Sequence, residues 1–172
     1  MLSNMPQLRN YNQGQALPPS VGAFDSVMDY LHTVNMTSDL KRIVANRLLE
    51  EALREEASIK MEEQFRLKKE LEQFSTFDND WDGEGGIPLR EASLRNFELL
   101  LPLLSVRTLR GIDISPENNG TLLVTSKVKE AGVNIGDNTF TYYLIENGKV
   151  EGESQLTFDT DRVLEQIERL TE

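Results

Sequence analysis

Residues 139–158, TFTYYLIENGKVEGESQLTF, decide the fold of this chain. A run rich in Thr, aromatic and β-branched residues precedes Asn147-Gly148, and a run that contains Val150, Thr157 and Phe158 follows it. The Asn-Gly dipeptide strongly favours the two-residue turn of a β-hairpin. The pattern predicts strands over 139–145 and 150–158, joined by a turn over 146–149. Because hairpin-connected strands run in opposite directions, we expect an antiparallel sheet, which needs helices on one face only.

The sequence before the hairpin has the same period of two. A strand is predicted to begin at 111–116, a turn follows over 116–120, and a second strand covers 121–129. We interpret 132–138 as another turn, because it contains Gly and Asn. The expected sheet is therefore a meander of three or four strands.

Two helices are predicted around this meander. One covers 91–101 and ends near Pro102, and the other begins after a cap at Asp159 or Thr160. Each has apolar residues at helical spacing, which marks the face that packs on the sheet. The predicted fold class is α+β: a long N-terminal helical arm, a helix, the antiparallel meander and a C-terminal helix.

The arm is dominated by one long helical pattern over 37–74, which has no Gly or Pro and can be capped by Thr37, Ser38 or Asp39. A helix of this length extends about 55 Å, more than a small domain can cover. A heptad seam breaks at Glu56, Lys60 and other charges, so either a kinked pair of helices or a helix buried against another chain is expected. The residues predicted to bind a partner or a second copy are Leu49, Leu53, Ile59, Met61, Phe65 and Leu67.

The amino-acid composition excludes several kinds of functional site. The chain has no Cys and one His, which excludes disulfides, thiol nucleophiles and His-His-carboxylate metal sites within one chain. Its net charge is −11, and residues 78–172 hold eighteen acidic and nine basic residues, a net −9. Binding to a nucleic-acid backbone is not expected, because phosphates are bound by Lys and Arg. No signal peptide and no membrane span is evident, so we expect a soluble cytoplasmic protein that does not bind membranes.

The charge distribution suggests three parts. Residues 1–22 are rich in Asn, Gln, Pro and Gly and are predicted to be a flexible tail. Residues 23–77 form the helical arm, which joins a short amphipathic helix to the long charged one. Residues 78–172 form the acidic α+β domain.

Residues 77–88, FDNDWDGEGGIP, are the segment that composition does not explain. Asp78, Asp80, Asp82 and Gly83 match the start of a calcium loop, in which alternate carboxylates bind one cation and the glycine makes a sharp turn. The bidentate Glu expected at the twelfth position is missing. The candidate ligands for calcium, the one cofactor considered, are Asp78, Asp80, Asp82, Glu84 and Glu91.

The same segment also fits a purely structural loop. Glycines permit positive φ, Asp side chains accept hydrogen bonds from nearby amides, and the only Trp supplies a large apolar surface. The residues of this structural interpretation are Trp81, Gly83, Gly85, Gly86 and Pro88.

Residues 80–86, DWDGEGG, with Pro88, the helix that ends at Leu101-Pro102 and the turn ISPENNGTL over 114–122, resemble a group of small uncharacterised bacterial proteins. That group has an N-W-D-G-x-G-A loop, a helix that ends in Leu-Pro and a P-x-x-[DN]-G turn into a sheet. The resemblance covers about 78–170, and this chain has Asp80 where Asn is usual and Gly86 where Ala is usual. It also has Thr125-Ser126 where an aromatic residue often follows the strand. The resemblance implies an α+β fold and no particular activity.

Three functions follow from these patterns. The leading hypothesis is a non-catalytic interaction or regulatory protein that self-associates, or binds a protein partner of basic charge, through its long helix. One alternative is a calcium-dependent regulator that uses residues 77–88, which we call the Asp-rich loop. The other alternative is a carboxylate-dependent hydrolase. No catalytic residue is assigned, because no nucleophile, base or phosphate-binding motif is recognisable.

Overall fold

The structure is a computed structural model that describes residues 37–172. It confirms the α+β class. The elements are α1 (Ser38–Phe74), α2 (Glu91–Leu100), α3 (Val106–Gly111), β1 (Ile112–Pro116), β2 (Leu122–Ser126), β3 (Ala131–Ile135), β4 (Thr139–Glu146), β5 (Lys149–Thr157) and α4 (Thr160–Arg169). The predicted tail over 1–22 and the short helix predicted after it lie outside the described residues.

The sheet is an antiparallel meander in the order β1-β2-β3-β4-β5, so it has one strand more than the largest number predicted. The additional strand is β3, which the sequence pattern assigned to a turn because of Gly132. In the structure Gly132 pairs with Tyr143 of β4, and a Cβ atom at Gly132 would lie 2.9 Å from Cε1 of Tyr143. The tyrosine ring therefore occupies the space that a side chain on β3 would need, which explains a glycine inside a strand.

Local sequence signals set the ends of the other elements. Asn147 and Gly148 have φ of 52° and 73°, the left-handed values that a tight hairpin turn requires, so the predicted turn is confirmed. The carboxylate of Asp159 accepts a hydrogen bond from the Arg162 amide at 3.0 Å, which confirms the predicted cap of α4. Helix α3 was not predicted. Its signal is Ser105, whose hydroxyl accepts the Thr108 amide at 3.1 Å.

The hydrophobic core lies between one face of the sheet and the helices. Helix α2 packs on β2 and β3, and α4 packs on β3. Alternate residues are buried in β1 (Ile112 and Ile114) and in β2 (Leu122 and Val124), as the period of two requires. The core includes Phe97 and Leu100 of α2, Val124 and Val133 of the sheet, and Ile167 of α4.

The chain divides into two compact units, residues 1–53 and 54–172. The second unit includes residues 54–74, which the sequence pattern assigned to the helical arm. Leu67 and Leu71 of α1 are completely or almost completely buried in the core of this unit, at 0% and 2% exposure. Leu67 was predicted to bind a partner, and that prediction is wrong because its side chain is enclosed by its own domain.

Arg66 holds the same part of α1 in place. Its guanidinium donates to Glu63 and Glu70 at 2.9 Å each, and to the carbonyl oxygens of Leu109 and Ile112 at 3.1 and 3.3 Å. Burial alone would lower the pKa of Arg66, but the hydrogen bonds to both glutamates outweigh it and leave the pKa raised. One charged side chain therefore joins α1 to the last turn of α3 and to the first residue of β1.

No helix among residues 37–172 is long and apolar enough to span a membrane.

Candidate functional site

The Asp-rich loop is closed by hydrogen bonds between its two ends. Asp80 has φ of 62°, an uncommon value for a residue other than glycine. Its amide donates to the carbonyl oxygen of Gly86 at 2.6 Å, and its carboxylate accepts the amide of Gly85 at 2.8 Å. These two bonds keep Asp80 in its left-handed conformation and fix the width of the loop.

Asp82 closes the inner turn of the same loop. One oxygen, Oδ1, accepts the amides of Glu84 and Gly86 at 2.9 and 2.8 Å. Both hydrogen bonds favour the ionised carboxylate and lower the pKa of Asp82. A Cβ atom at Gly86 would lie 2.7 Å from the other oxygen, so an alanine at this position would require Asp82 to move.

Aromatic contacts attach the loop to the end of α1. The indole of Trp81 stacks on Phe77 with ring centroids 5.2 Å apart, and Phe77 contacts Phe74 at 5.9 Å. Trp81 Nε1 also donates to the carbonyl oxygen of Ile87 at 3.2 Å. Because Phe74 packs against the core, this row of rings connects the loop to the interior of the domain.

The far end of the loop is attached to the turn between β1 and β2. The amide of Ile87 donates to the backbone carbonyl oxygen of Asn118, and the amide of Arg90 donates to that of Gly120, each at 2.9 Å. The backbone around Pro88 is thereby held against a second element. The loop is thus held at both ends.

The five candidate calcium ligands do not form a cluster. Among residues 37–172, no group of three or more His, Cys, Asp or Glu side chains is arranged to hold a metal ion. Asp80 and Asp82 each accept hydrogen bonds from backbone amides of the loop through one carboxylate oxygen. Glu91 forms a 3.3 Å ion pair with Arg95. This geometry favours a loop that is held by its own backbone, and the calcium hypothesis stays a prediction.

Replacing Asp82 with Asn is expected to destabilise the protein at neutral pH, because Asn keeps an acceptor oxygen but loses the charge that strengthens both hydrogen bonds. Since the pKa of Asp82 is lowered in the folded state, its contribution is present above about pH 4 and is lost as the pH falls through the folded pKa. Urea unfolding of the wild type and D82N between about pH 7 and pH 2.5 measures this difference. The control is D78N, an exposed carboxylate in the same loop. A difference that stays constant with pH would contradict the prediction.

Calcium is expected to leave the protein unchanged. The only Trp lies in this loop, so its fluorescence reports loop geometry directly. We expect no change in Trp81 emission or in melting temperature up to about 10 mM calcium, a concentration that exceeds the dissociation constants of weak protein calcium sites. An increase in melting temperature that disappears in the variant D80N/D82N would instead establish a metal site.

The hydrolase hypothesis requires a pocket with clustered carboxylates. A shallow pocket lies between β4 and α4, and carboxylates are not among its lining residues. These are Tyr142, Tyr143, Leu144, Gln166, Arg169 and Leu170. The pocket does not support a catalytic assignment for the acidic residues.

The outward side of α1 is the other candidate site. In the second unit Met61 and Phe65 are 67% and 71% exposed, and the exposed residue Ala57 precedes Met61 by one turn. We call Ala57, Met61 and Phe65 the apolar row. In the first unit Leu49 and Leu53 are also exposed, at 38% and 52%, whereas the remaining predicted residue of this group, Ile59, is half-buried.

Comparison with known proteins gives no assignment, because no protein-family model, curated protein or solved structure matches the chain significantly. The resemblance to small bacterial proteins therefore stays a prediction that depends on the motifs alone.

Proposed function

We propose that this protein is a non-catalytic interaction protein, cytoplasmic in location, that binds a partner or a second copy through the outward side of α1. The observation that carries the proposal is the exposure of Met61 and Phe65. Full burial of one such side chain stabilises a complex by roughly 1.5–3 kcal/mol before association costs.

Helix α1 divides its apolar residues between two sides within the second unit. Leu67 and Leu71 enter the domain core, whereas Met61 and Phe65 remain in solvent. The stability of the domain therefore accounts for the first pair and leaves the second pair without a structural role. Large apolar side chains that are exposed together are typical of binding surfaces.

The charges of the chain favour a particular kind of partner. The α+β domain has a net charge of −9 over residues 78–172, so a basic protein is attracted and acidic ones are repelled. The helix itself is nearly neutral, because residues 37–77 hold nine acidic and eight basic side chains. In this proposal the acidic domain selects the partner and α1 supplies the apolar contact.

The double variant M61S/F65S is expected to lose association without losing stability. The protein is immobilised and exposed both to its own free chain and to an extract of the cells that produce it, and the retained polypeptides are compared. Because both side chains are exposed, each substitution is expected to change the free energy of unfolding by no more than about 0.5 kcal/mol.

The matched control is L99S/V128S, which removes two exposed apolar side chains outside α1. Retention by the wild type and the control, with loss in M61S/F65S, is the expected result. Equal retention by all three proteins would contradict the proposal.

A further inference from the structure

We infer that Asn147 is a site of spontaneous covalent modification. The backbone nitrogen of Gly148 attacks the side-chain amide of Asn147, and water completes the conversion to aspartate or isoaspartate. The inference is carried by the difference between this exposed turn and the two other places where Asn or Asp precedes Gly, Asn119-Gly120 and Asp82-Gly83. It goes beyond the proposed function, because it concerns the hairpin of β4 and β5 and not α1.

The reaction needs only the chain and water. The Gly148 nitrogen bonds to Cγ of Asn147, the bond from Cγ to Nδ2 breaks, and Nδ2 leaves as ammonia with the proton of the Gly148 amide. The product is a cyclic imide. Water then adds to Cγ, which gives aspartate, or to the main-chain carbonyl carbon of the same residue, which gives isoaspartate. Glycine favours the first step, because it has no Cβ atom to obstruct the attack.

Asn147 and Gly148 are both free to react. Both residues are exposed, and a Cβ atom placed at Gly148 would meet no atom within 4 Å, so the space around the attacking nitrogen is open. They lie in the turn beyond the last strand pair, Glu146 with Lys149. Within residues 37–172, no hydrogen bond holds the side chain of Asn147 or the amide of Gly148. The side chain can therefore rotate toward the nitrogen without breaking any contact.

Asn119-Gly120 is the same dipeptide, but its reacting groups are held by hydrogen bonds. Oδ1 of Asn119 accepts the amide and the hydroxyl of Thr121 at 3.0 and 2.6 Å. The amide of Gly120 donates to the carbonyl oxygen of Glu117 at 2.9 Å, and Gly120 itself is buried. The reaction must break these bonds first, so we expect Asn119 to react about tenfold or more slowly than Asn147 in the folded protein.

Asp82-Gly83 is held in a similar way. Attack on an Asp side chain requires the uncharged carboxyl group, because an ionised carboxylate is a poor electrophile. Asp82 accepts the amides of Glu84 and Gly86, and these hydrogen bonds lower its pKa and favour the ionised form. The amide of Gly83 also donates to the carbonyl oxygen of Asp80 at 3.0 Å. The hairpin turn is therefore the one place among the three where both reacting groups are unrestrained.

Isoaspartate is expected to disturb the hairpin more than aspartate does. Aspartate leaves the backbone unchanged, and Asp-Gly is also a favoured dipeptide in a two-residue hairpin turn. Isoaspartate adds one atom to the backbone of the turn, so the strand pairing next to the turn has to change. Strand β5 is the edge of the sheet and pairs with β4 alone, so no second strand holds it in place.

Incubation of the full chain in mildly alkaline buffer, folded or unfolded in concentrated urea, tests the inference. Peptides that contain Asn119 or Asn147 are separated after different times, and mass spectrometry measures the fraction of each that has been converted. In urea we expect the two rates to agree within about threefold, because the contacts that distinguish the two turns are lost. In the folded protein we expect Asn147 to react about tenfold or more faster than Asn119.

The variant N147D is the matched control for the product, because it has the new charge with an unchanged backbone. Its melting temperature is expected to lie within about 3 °C of the wild type, whereas wild-type protein converted to isoaspartate is expected to melt lower than N147D. A ratio of rates below about tenfold in the folded protein, or the same ratio in urea, would overturn the inference. Isoaspartate-containing protein that melts like N147D would overturn the expected effect on the hairpin.

Discussion

Replacing Leu67 with Ala is expected to lower the free energy of unfolding by about 2–5 kcal/mol. The side chain is completely buried in the core of residues 54–172, so its loss removes apolar contacts and leaves a cavity. Urea denaturation followed by circular dichroism measures the change, and an unchanged slope of the transition confirms that stability alone has altered.

The matched control is Met61→Ala on the same helix, where the side chain is mostly exposed. It is expected to change the free energy of unfolding by no more than about 0.5 kcal/mol. Equal effects at the two positions would show that the C-terminal part of α1 does not pack in the domain core, against the structure described above.

Replacing Gly120 with Ala is expected to cost about 2–5 kcal/mol. Gly120 has φ of 79°, which costs an alanine about 1–2 kcal/mol, and a Cβ atom there would lie 2.8 Å from the carbonyl oxygen of Pro88. The close contact adds about 1–3 kcal/mol, because the backbone of the neighbouring segment must shift.

Gly148 serves to distinguish the cost of the left-handed conformation from the cost of the close contact. It has a similar φ of 73°, but no atom lies within 4 Å of a Cβ placed there. Gly148→Ala is therefore expected to cost only the conformational part, about 1–2 kcal/mol. If thermal and urea denaturation show equal losses for both variants, the Asp-rich loop is not packed against the turn between β1 and β2 as described.

Much of the fold follows from local signals. The hairpin at Asn147-Gly148 and the Asp159 cap are confirmed because one or two residues fix the backbone there. The long helix ends at Phe74 as predicted, since no helix breaker precedes it. Signals of this kind act over a few residues and do not need tertiary contacts.

The errors have tertiary causes. Gly132 lies in a strand because Tyr143 from the next strand covers it, and the sequence near Gly132 contains no sign of that ring. Leu67 is buried because Arg66 and the core hold α1 against the domain, and periodicity alone does not distinguish burial within a chain from burial between chains. The ion pairs of Arg66 with Glu63 and Glu70 could have been predicted from sequence, because these residues are three and four positions apart on one helix.

The structure of the Asp-rich loop also could not be predicted from sequence alone. Its glycines and carboxylates are compatible with a cation site and with a self-bonded loop, and the sequence left both open. In the structure the amides of Gly85 and Gly86 donate hydrogen bonds to carboxylate oxygens of Asp80 and Asp82, respectively. The distinction depends on the left-handed backbone conformation of Asp80, which Asp adopts more readily than most residues other than glycine and which the sequence does not specify.

Sedimentation velocity of the fluorescently labelled chain tests the central claim most directly. The chain is placed in an extract of its own cells, supplemented with unlabelled chain, so that both kinds of partner are present. The label is attached to a cysteine added at the C-terminus, because the sequence has none. The account predicts a species that sediments faster than the 19.6 kDa monomer for the wild type and for L99S/V128S, and its loss for M61S/F65S. The same sedimentation coefficient for all three proteins, whether monomeric or associated, would contradict it.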